Sequence, residues 1–555
     1  MLRRLALAFC IVFVSIGSAA ERVPGRPAIA SAHPAATAAG LEMLEKGGNA
    51  FDAAVAVAAA LTVVEPTGSG LGGGGFFLLH RSSDRLYTMI DAREKAPGAS
   101  TRDMFLTASG EPDRTLATES GLAAGIPGEP AALEYLAQKY GRLPLATSLQ
   151  PAIRLAREGF PLYARLQDGL RGKVKQLRRT RDATQAFLLK NEVPPVGYVI
   201  RQPELARTLE LVAAHGAKGF YTGPVARRLV AGVKQFGGIW TEEDLAKYAV
   251  VEREPIINEY RGARIVSGSP PASGGIGLVD ALNILEGFDL TKLDSATRKH
   301  AIIEAMRRAH RDRAVYLGDP DFVKIPTEML THQFYADGQR TSLRLDRALP
   351  SAMLSGIETE GGGPDTTHFS IIDTEGNRVA ATLTLNLWLG TGLMAPGTGV
   401  LLNNQMDDFA IKAGAPNAFQ LIGAEANAIE PGKRMLSSST PTFVEAERGV
   451  LIAGSPGGSR IIGMVLLATL DFMSGRSPSE IVSAPRIHHQ YVPDVVQFEP
   501  GALTPEEREA LAARGHVLRE GSRRWGNLQI VVWDYASGNV EAASDPRGAV
   551  GGVLY

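Results

Sequence analysis

DTTHFSIID, from Asp365 to Asp373, leads through a turn into VAATLTLN, ending at Asn386, and on to LLNNQMDDF, ending at Phe409. The first two stretches alternate as strands do. Residues two apart in a strand share a face, so Thr366, His368 and Ser370 point one way, and in the next strand Thr384 and Asn386 lie opposite Leu383 and Leu385. Such a hydroxyl, imidazole and amide face either decorates a solvated surface or converges on chemistry. A cut before Thr366 would favour the second reading. That threonine would then carry a hydroxyl and a free α-amine on one residue. With a reference pKa of about 7.7–8.0, the amine can serve as the general base that a hydroxyl nucleophile needs.

The chain has 555 residues, 45% hydrophobic and 21% charged, and a net charge of −1. That describes an ordinary globular protein with ample core. It offers no basic footprint for nucleic acid and no polybasic membrane patch. Residues 1–20 read as a signal peptide: Arg3 and Arg4, an apolar run from Leu5 to Ile16, then Ser18-Ala19-Ala20. An uncleaved anchor is the alternative, but the run is shorter than the ~20 residues needed to span a bilayer. Cys10, the single cysteine, lies in this leader after a bulky Phe9, which does not suit a lipoprotein signal. The mature chain is thus expected to be exported, most simply to a bacterial periplasm, with neither a disulfide nor a thiol nucleophile.

Residues 35–64 read as helix, interrupted at Gly47-Gly48. A glycine-rich turn, GSGLGGGG from Gly68, then feeds a short strand, and Leu86–Arg93 reads as another. Helical patterns dominate residues 117–345, including Ala131–Tyr140, Pro151–Glu158 and Ala301–Tyr316, the last with Asp294 or Ser295 as N-cap. Ser355–Pro364, rich in glycine and acid, reads as an exposed loop open to proteolysis. Strands are expected at His368–Asp373, Arg378–Asn386, Gly399–Asn404, Pro441–Glu445, Val450–Ala453 and Gln529–Asp534. A helix-rich first part and a strand-rich second part fit an α+β layered fold.

Further blocks span nearly all of the mature chain: HPAATAAGLEMLEKGGNAFDAAVAVAAAL from His33, DAREKAP from Asp91, TEEDLAKY from Thr241, PPASGG from Pro270, EAMRRAHRDRAVYLGDPDF from Glu304, PGKRMLSSSTPT from Pro431, GSPGGSR from Gly454 and SDPRG from Ser544. With the Thr366 stretch, they resemble the γ-glutamyltransferase (glutathione hydrolase) family of N-terminal-nucleophile hydrolases. The resemblance implies a four-layer αββα sandwich made as a proenzyme and cut between Asp365 and Thr366. Residues 21–365 and 366–555 would then be the large and small subunits of a heterodimer. It implies that Thr366 is the self-processing residue and the nucleophile, oriented by Thr384, with Gly457 and Gly458 as the oxyanion hole. Arg93, Ser437 and Ser438 would hold the α-carboxylate of a γ-glutamyl group, and Asn386, Gln405 and Asp408 its α-amine. Glutathione would be a donor, and water, amino acids or dipeptides acceptors, with no metal or organic cofactor. Taken singly, each position has a plainer reading: Arg93 a surface ion pair, Gln405 and Asp408 turn caps, Gly457-Gly458 a tight turn. An acylase acting on another amide, such as a glutaryl-cephalosporin, and a processed but inactive binding protein are the rival functions.

Two departures stand out. Phe419 occupies the lid position where several bacterial relatives place a tyrosine bonded to the substrate-site asparagine, so that bond to Asn386 cannot form. Leu387-Trp388-Leu389 is bulkier and more apolar than the threonine-rich segment of relatives. Other patterns do not hold up. Gly70, Gly72 and Gly75 fit G-x-G-x-x-G but stand between a helix and a strand, the reverse of the dinucleotide order, and GSPGGSR lacks a P-loop ending. His33, His80, His300 and His310 show no metal-ligand spacing, and neighbours His488 and His489 point to opposite faces.

Overall fold

A computed structural model describes residues 22–354, 366–548 and 552–554. The leader with Cys10, the Ser355–Pro364 loop and Asp365 lie outside the described residues. Among those described, no helix is long and apolar enough to cross a membrane.

The helix expected over 35–64 is two, Pro34–Glu45 and Ala50–Val64, divided where Gly47 takes a left-handed φ of 84°. The second starts from a reciprocal cap, in which the Asn49 side chain accepts backbone N–H groups and the Asp52 carboxylate reaches back to Asn49 N. All of its residues are buried, as its apolar circumference requires. Asp294 caps Ser295–Tyr316 by accepting from Thr297 N at 3.0 Å.

Two antiparallel sheets form the centre. The seven-stranded sheet runs Gly552–Leu554, Ala28–Ser31, Thr367–Ile372, Arg378–Thr384, Gly74–Arg81, Leu86–Ala92, Val251–Arg253. The six-stranded sheet runs Val540–Ser544, Gln529–Asp534, Gly449–Gly454, Thr442–Ala446, Ala263–Ser267, Ile256–Tyr260. Phe76, Leu78, Ala380 and Ile372 of the first meet Val266, Phe443, Ile452 and Val531 of the second. The outer face of the first, with Phe77, Phe369 and Ile371, packs on the helices around Ala50–Val64. The outer face of the second, with Val444, Leu451 and Ile530, packs on Gly274–Glu286, Ser295–Tyr316 and Ile461–Met473. The layers are therefore helix, sheet, sheet, helix, the αββα sandwich. In both sheets, strands from before and after Thr366 are neighbours.

This layering resolves the polar face of Thr367–Ile372, which is buried on both sides. His368 and Ser370 point between the sheets, where His368 Nδ1 lies 2.9 Å from Thr382 Oγ1 and Ser370 Oγ donates to Gln529 O at 3.0 Å. Ser370 ties the two sheets together, His368 links two strands of its own sheet, and neither decorates a solvated surface. Gly399–Asn404 is not a strand. Gly397 and Gly399 turn with positive φ, and a single bridge, Met394 to Leu401, replaces a ladder. The Ile256–Ser267 hairpin falls within the region read as helical, and the Ile461–Met473 helix within the region read as strands.

The glycine-rich turn follows a helix and feeds a strand, as read. Its glycines serve close approach: a Cβ on Gly72 would lie 1.9 Å from Leu401 O, and one on Gly73 2.1 Å from Thr384 O. Backbone cannot retreat as a flexible side chain can. Gly72→Ala is therefore expected to destabilise the fold by about 3 kcal/mol. A urea unfolding midpoint equal to wild type would show that this turn yields.

Candidate active site

Thr366 stands immediately before the Thr367–Ile372 strand and is 6% exposed. Its Oγ1 donates to Thr384 Oγ1 on the adjoining strand at 3.4 Å, and Thr384 Oγ1 also accepts from Asn386 N at 2.8 Å. Asn386 leaves that strand with a positive φ of 76°, which lets its side chain turn back toward the threonines. Its Nδ2 donates to Asn404 O, while Oδ1 is buried without a hydrogen-bond partner among the described residues.

Arg93 follows the Leu86–Ala92 strand and is 1% exposed, so it is no surface ion pair. Its Nη2 donates to Asp408 Oδ2 at 2.5 Å and to Leu436 O, and its Nε to Met435 O. Asp408 ends a one-turn 3₁₀ segment begun by Gln405, whose Nε2 also reaches Asp408 Oδ2, at 2.8 Å. The two residues expected to hold opposite ends of a zwitterion thus bond each other directly. Ser437 Oγ donates to Ser439 Oγ at 3.0 Å, whereas Ser438 Oγ and Gln405 Oε1 are buried without partners among the described residues. Unsatisfied buried polar atoms are costly, and here three of them, on Asn386, Gln405 and Ser438, line one cleft.

That narrow cleft is lined by Arg93, Thr366, Thr384, Asn386, Gln405, Asp408, Phe419, Ser437, Ser438 and Gly458, among others. Gly457 adjoins it without lining it. Gly457 and Gly458 have φ of 142° and 56° and lead through a 3₁₀ turn into the Ile461–Met473 helix, so their backbone precedes a positive helix end. Phe419 is 4% exposed, and a Cβ on Gly458 would fall 2.3 Å from its ring.

Reading the sequence assigned no role to several neighbours. Ser273 Oγ donates to Ser437 O at 2.6 Å and accepts from Arg313 Nε at 3.0 Å. A buried guanidinium thereby fixes the serine turn, and burial lowers its pKa to about 10. Both residues lie in quoted blocks, PPASGG and RRAHRDRA, but nothing local joins them. Conversely, His368 shares the Thr366 side of its strand yet spends its nitrogens on Thr382 and Ser370. Burial depresses its pKa to about 3, so it is a neutral structural group. The fold also gathers His300, Glu304 and His516. His300 Nδ1 is 2.7 Å from His516 Nε2, and Arg307 and Arg308 hold the Glu304 carboxylate. Protons and guanidinium groups already use those donor positions, and two cations beside Glu304 oppose a third.

The sequence model of the gamma-glutamyltranspeptidase family matches residues 36–555. The glutathione hydrolase proenzyme of Escherichia coli K12 is 42% identical over 525 residues, covering 94% of this chain and 90% of that one. The chain belongs to the gamma-glutamyltranspeptidase family. A second glutathione hydrolase proenzyme, from a Pseudomonas species (strain A14), is 43% identical over 88% of this chain and 85% of its own. Among solved structures, a cephalosporin acylase from Bacillus halodurans superposes with a TM-score of 0.83 at 29% identity, covering 99% of each chain. The gamma-glutamyltranspeptidase of Helicobacter pylori gives 0.57 at 39% identity, covering 58% of this chain and 93% of that one. The family accounts for the shared sandwich, while the cleft's chemistry must separate transferase from acylase.

Glu94 supplies a pH dependence. It is fully buried beside Arg93, 3.6 Å from Nη1, and neither carboxyl oxygen has a hydrogen-bond partner among the described residues. Burial pushes its pKa up from 4.5 to about 8, against the pull of Arg93. A carboxyl so raised contributes its stability in full below the unfolded value and loses it as pH climbs through the folded one. Between pH 5 and 8, wild-type Tm should therefore fall more steeply than that of Glu94→Gln. Parallel Tm profiles would exclude Glu94 as the source.

Proposed function

We propose that this chain is a self-processing γ-glutamyltransferase and glutathione hydrolase. The observation that carries the reading is the placement of Thr366 Oγ1, against Thr384, in one cleft with the buried Arg93–Asp408 pair. In maturation, Thr366 Oγ1 attacks the Asp365 carbonyl, the acyl group passes from nitrogen to oxygen, and water hydrolyses the ester. This frees the Thr366 α-amine and yields residues 21–365 and 366–555. In both sheets a strand from before the cut pairs directly with one from after it, so the two subunits remain one body.

In turnover, the α-amine takes the Oγ1 proton as oxygen adds to the γ-carbonyl carbon of glutathione. The oxyanion is met by N–H groups of Gly457 and Gly458. Collapse expels cysteinylglycine, whose nitrogen receives the proton, and leaves a γ-glutamyl ester on Thr366. Water or the amine of an amino acid or dipeptide then takes the acyl group. Thr384 orients the hydroxyl. Arg93, Ser437 and Ser438 hold the α-carboxylate, and Asn386, Gln405 and Asp408 hold the α-ammonium. The apolar leader suits export to a periplasm.

The cephalosporin acylase likeness makes glutaryl amides the second reading, and the ion pair weighs against it. A γ-glutamyl group brings an ammonium for Asp408 as its carboxylate takes Arg93. A glutaryl group brings a carboxylate alone and would strand Asp408, and breaking a buried pair in this way costs about 3–5 kcal/mol.

Two variants test the assignment. Thr366→Ala should purify as one uncut, inactive chain where wild type gives two bands and releases p-nitroaniline from a γ-glutamyl anilide. Recovery of the variant already cut would end the autocatalytic account. Arg93→Ala should still mature, since no glutamyl group takes part in processing, but lose about 2–5 kcal/mol of transition-state binding, or ~30-fold to several thousand-fold in kcat/KM. A kcat/KM near wild type would remove Arg93 from recognition.

A further inference from the structure

The residue that follows the proposed nucleophile is bound to the helix layer, and the nucleophile itself lies past the end of its sheet. In the Thr367–Ile372 strand, Thr367 opposite Leu383 is the last registered pair on one side and Phe369 opposite Ser31 the last on the other. Thr366 therefore lies one residue beyond the registered pairs. Thr367 points to the opposite face, where its Oγ1 donates a short hydrogen bond to a carboxylate oxygen of Glu65. Both residues are buried, at 0% and 3% exposure.

Glu65 is itself immobilised. It is the C-cap of Ala50–Val64, a helix with every residue buried. Its N–H donates to Leu61 O at 2.8 Å, and its carbonyl accepts from Gly68 N at 2.9 Å and Ser69 N at 3.2 Å. That turn lies flat on the nucleophile's backbone: a Cβ on Gly68 would sit 3.0 Å from Thr367 Cβ and 3.3 Å from Thr366 O. A hydrogen bond from a buried hydroxyl to a carboxyl group on a rigid helix end fixes the hydroxyl's backbone as well as its side chain.

We propose that Glu65 and Thr367 are a positioning pair, which fixes the 366–367 peptide so that Thr366 Oγ1 is aimed first at the Asp365 carbonyl and later at the γ-carbonyl of the donor. Neither residue touches substrate, since both lie on the helix side of the strand. Their effect passes through the backbone to a hydroxyl whose reach is set to fractions of an ångström. The proposal rests on Thr366 being the nucleophile and adds what aims it.

Self-cleavage rate in the purified precursor and kcat and KM of the mature enzyme test the pair together. Glu65→Ala and Thr367→Val should each lower kcat by about 10–100-fold with donor KM within about twofold, because aim matters in the transition state and not in ground-state binding. Self-cleavage should slow in parallel. The double variant should be no slower than the slower single, since one bond is lost once. Glu65→Gln and Thr367→Ser, which keep an acceptor and a donor, should restore both rates to within about threefold. A rise in KM at unchanged kcat, additive losses, or Glu65→Gln as slow as Glu65→Ala would overturn the proposal. Should the Ala or Val variant fail to fold, Glu65→Asp decides, because it withdraws the carboxylate by one methylene: kcat equal to wild type rejects the pair. An uncut, inactive wild-type chain would instead strike at the proposed function, whereas fully active wild type and Glu65→Ala would strike at the pair alone.

Discussion

A threonine hydroxyl attacks an amide only if a base stands beside it, and in this chain the nearest base is to be the residue's own amine. For Thr366 to act in that way it must sit buried at the head of the Thr367–Ile372 strand and, after cleavage, be a chain end. The architecture serves both demands. Ala28–Ser31 and Arg378–Thr384 flank the Thr367–Ile372 strand, so its course is fixed by long-range pairing. Thr366 lies one residue past the last registered pair. The His368 bond to the adjoining strand and the inter-sheet Ser370 bond on one face, with the Glu65 contact on the other, hold the strand end.

Recognition is set by desolvation. Arg93 and Asp408 are nearly removed from water and bonded to each other, while burial pushes the Glu94 carboxyl up to about 8 and so favours its neutral form. The cleft is then close to one positive and one negative charge facing each other, the pattern that a zwitterionic α-amino acid end complements. The unpartnered atoms of Asn386, Gln405 and Ser438 extend that pattern with hydrogen-bonding capacity that the protein itself leaves unused. Specificity of this kind arises as much from the penalty on a mismatched ligand as from contacts to the right one.

The legible parts of the fold were those where local pattern and tertiary environment agree. Thr367–Ile372 and Arg378–Thr384 alternate, and Asp294 caps a helix three residues ahead of the N–H it binds. Ile461–Met473 was missed because a helix sandwiched between sheet and helices is apolar all round and shows no stripe. Ile256–Ser267 gave a weak strand signal amid helical neighbours. The Gly399–Asn404 stretch reads as a strand by composition, but backbone turns at its glycines and side-chain bonds from Asn403 to Gly72 O and Gly125 O displace the ladder. The site was legible as a set of residues through the family's motifs. Its couplings were not: Arg93 and Asp408 are 315 positions apart, and Arg313, Ser273 and Ser437 meet only through the fold.

Phe419 shows how a departure from the family pattern can be absorbed. Without a hydroxyl it leaves Asn386 Oδ1 unpartnered among the described residues, as the sequence led one to expect. The ring nevertheless fills the space that a side chain on Gly458 would need. Gly458 is therefore required to leave room for the aromatic cover above it, and in the proposed role its missing side chain would also let its N–H approach a developing oxyanion. One contact joins the lid to the catalytic backbone. The ring packs on Gly458 with no hydrogen bond to Asn386, while the backbone around it is held by Ala418 N–H donating to Asp407 and by Asn417 donating to Asp408. Movement of Phe419 would uncover the oxyanion site and admit solvent in the same step. If Gly458 meets the oxyanion as proposed, retention of the γ-glutamyl group and polarisation of its carbonyl would depend on the same ring.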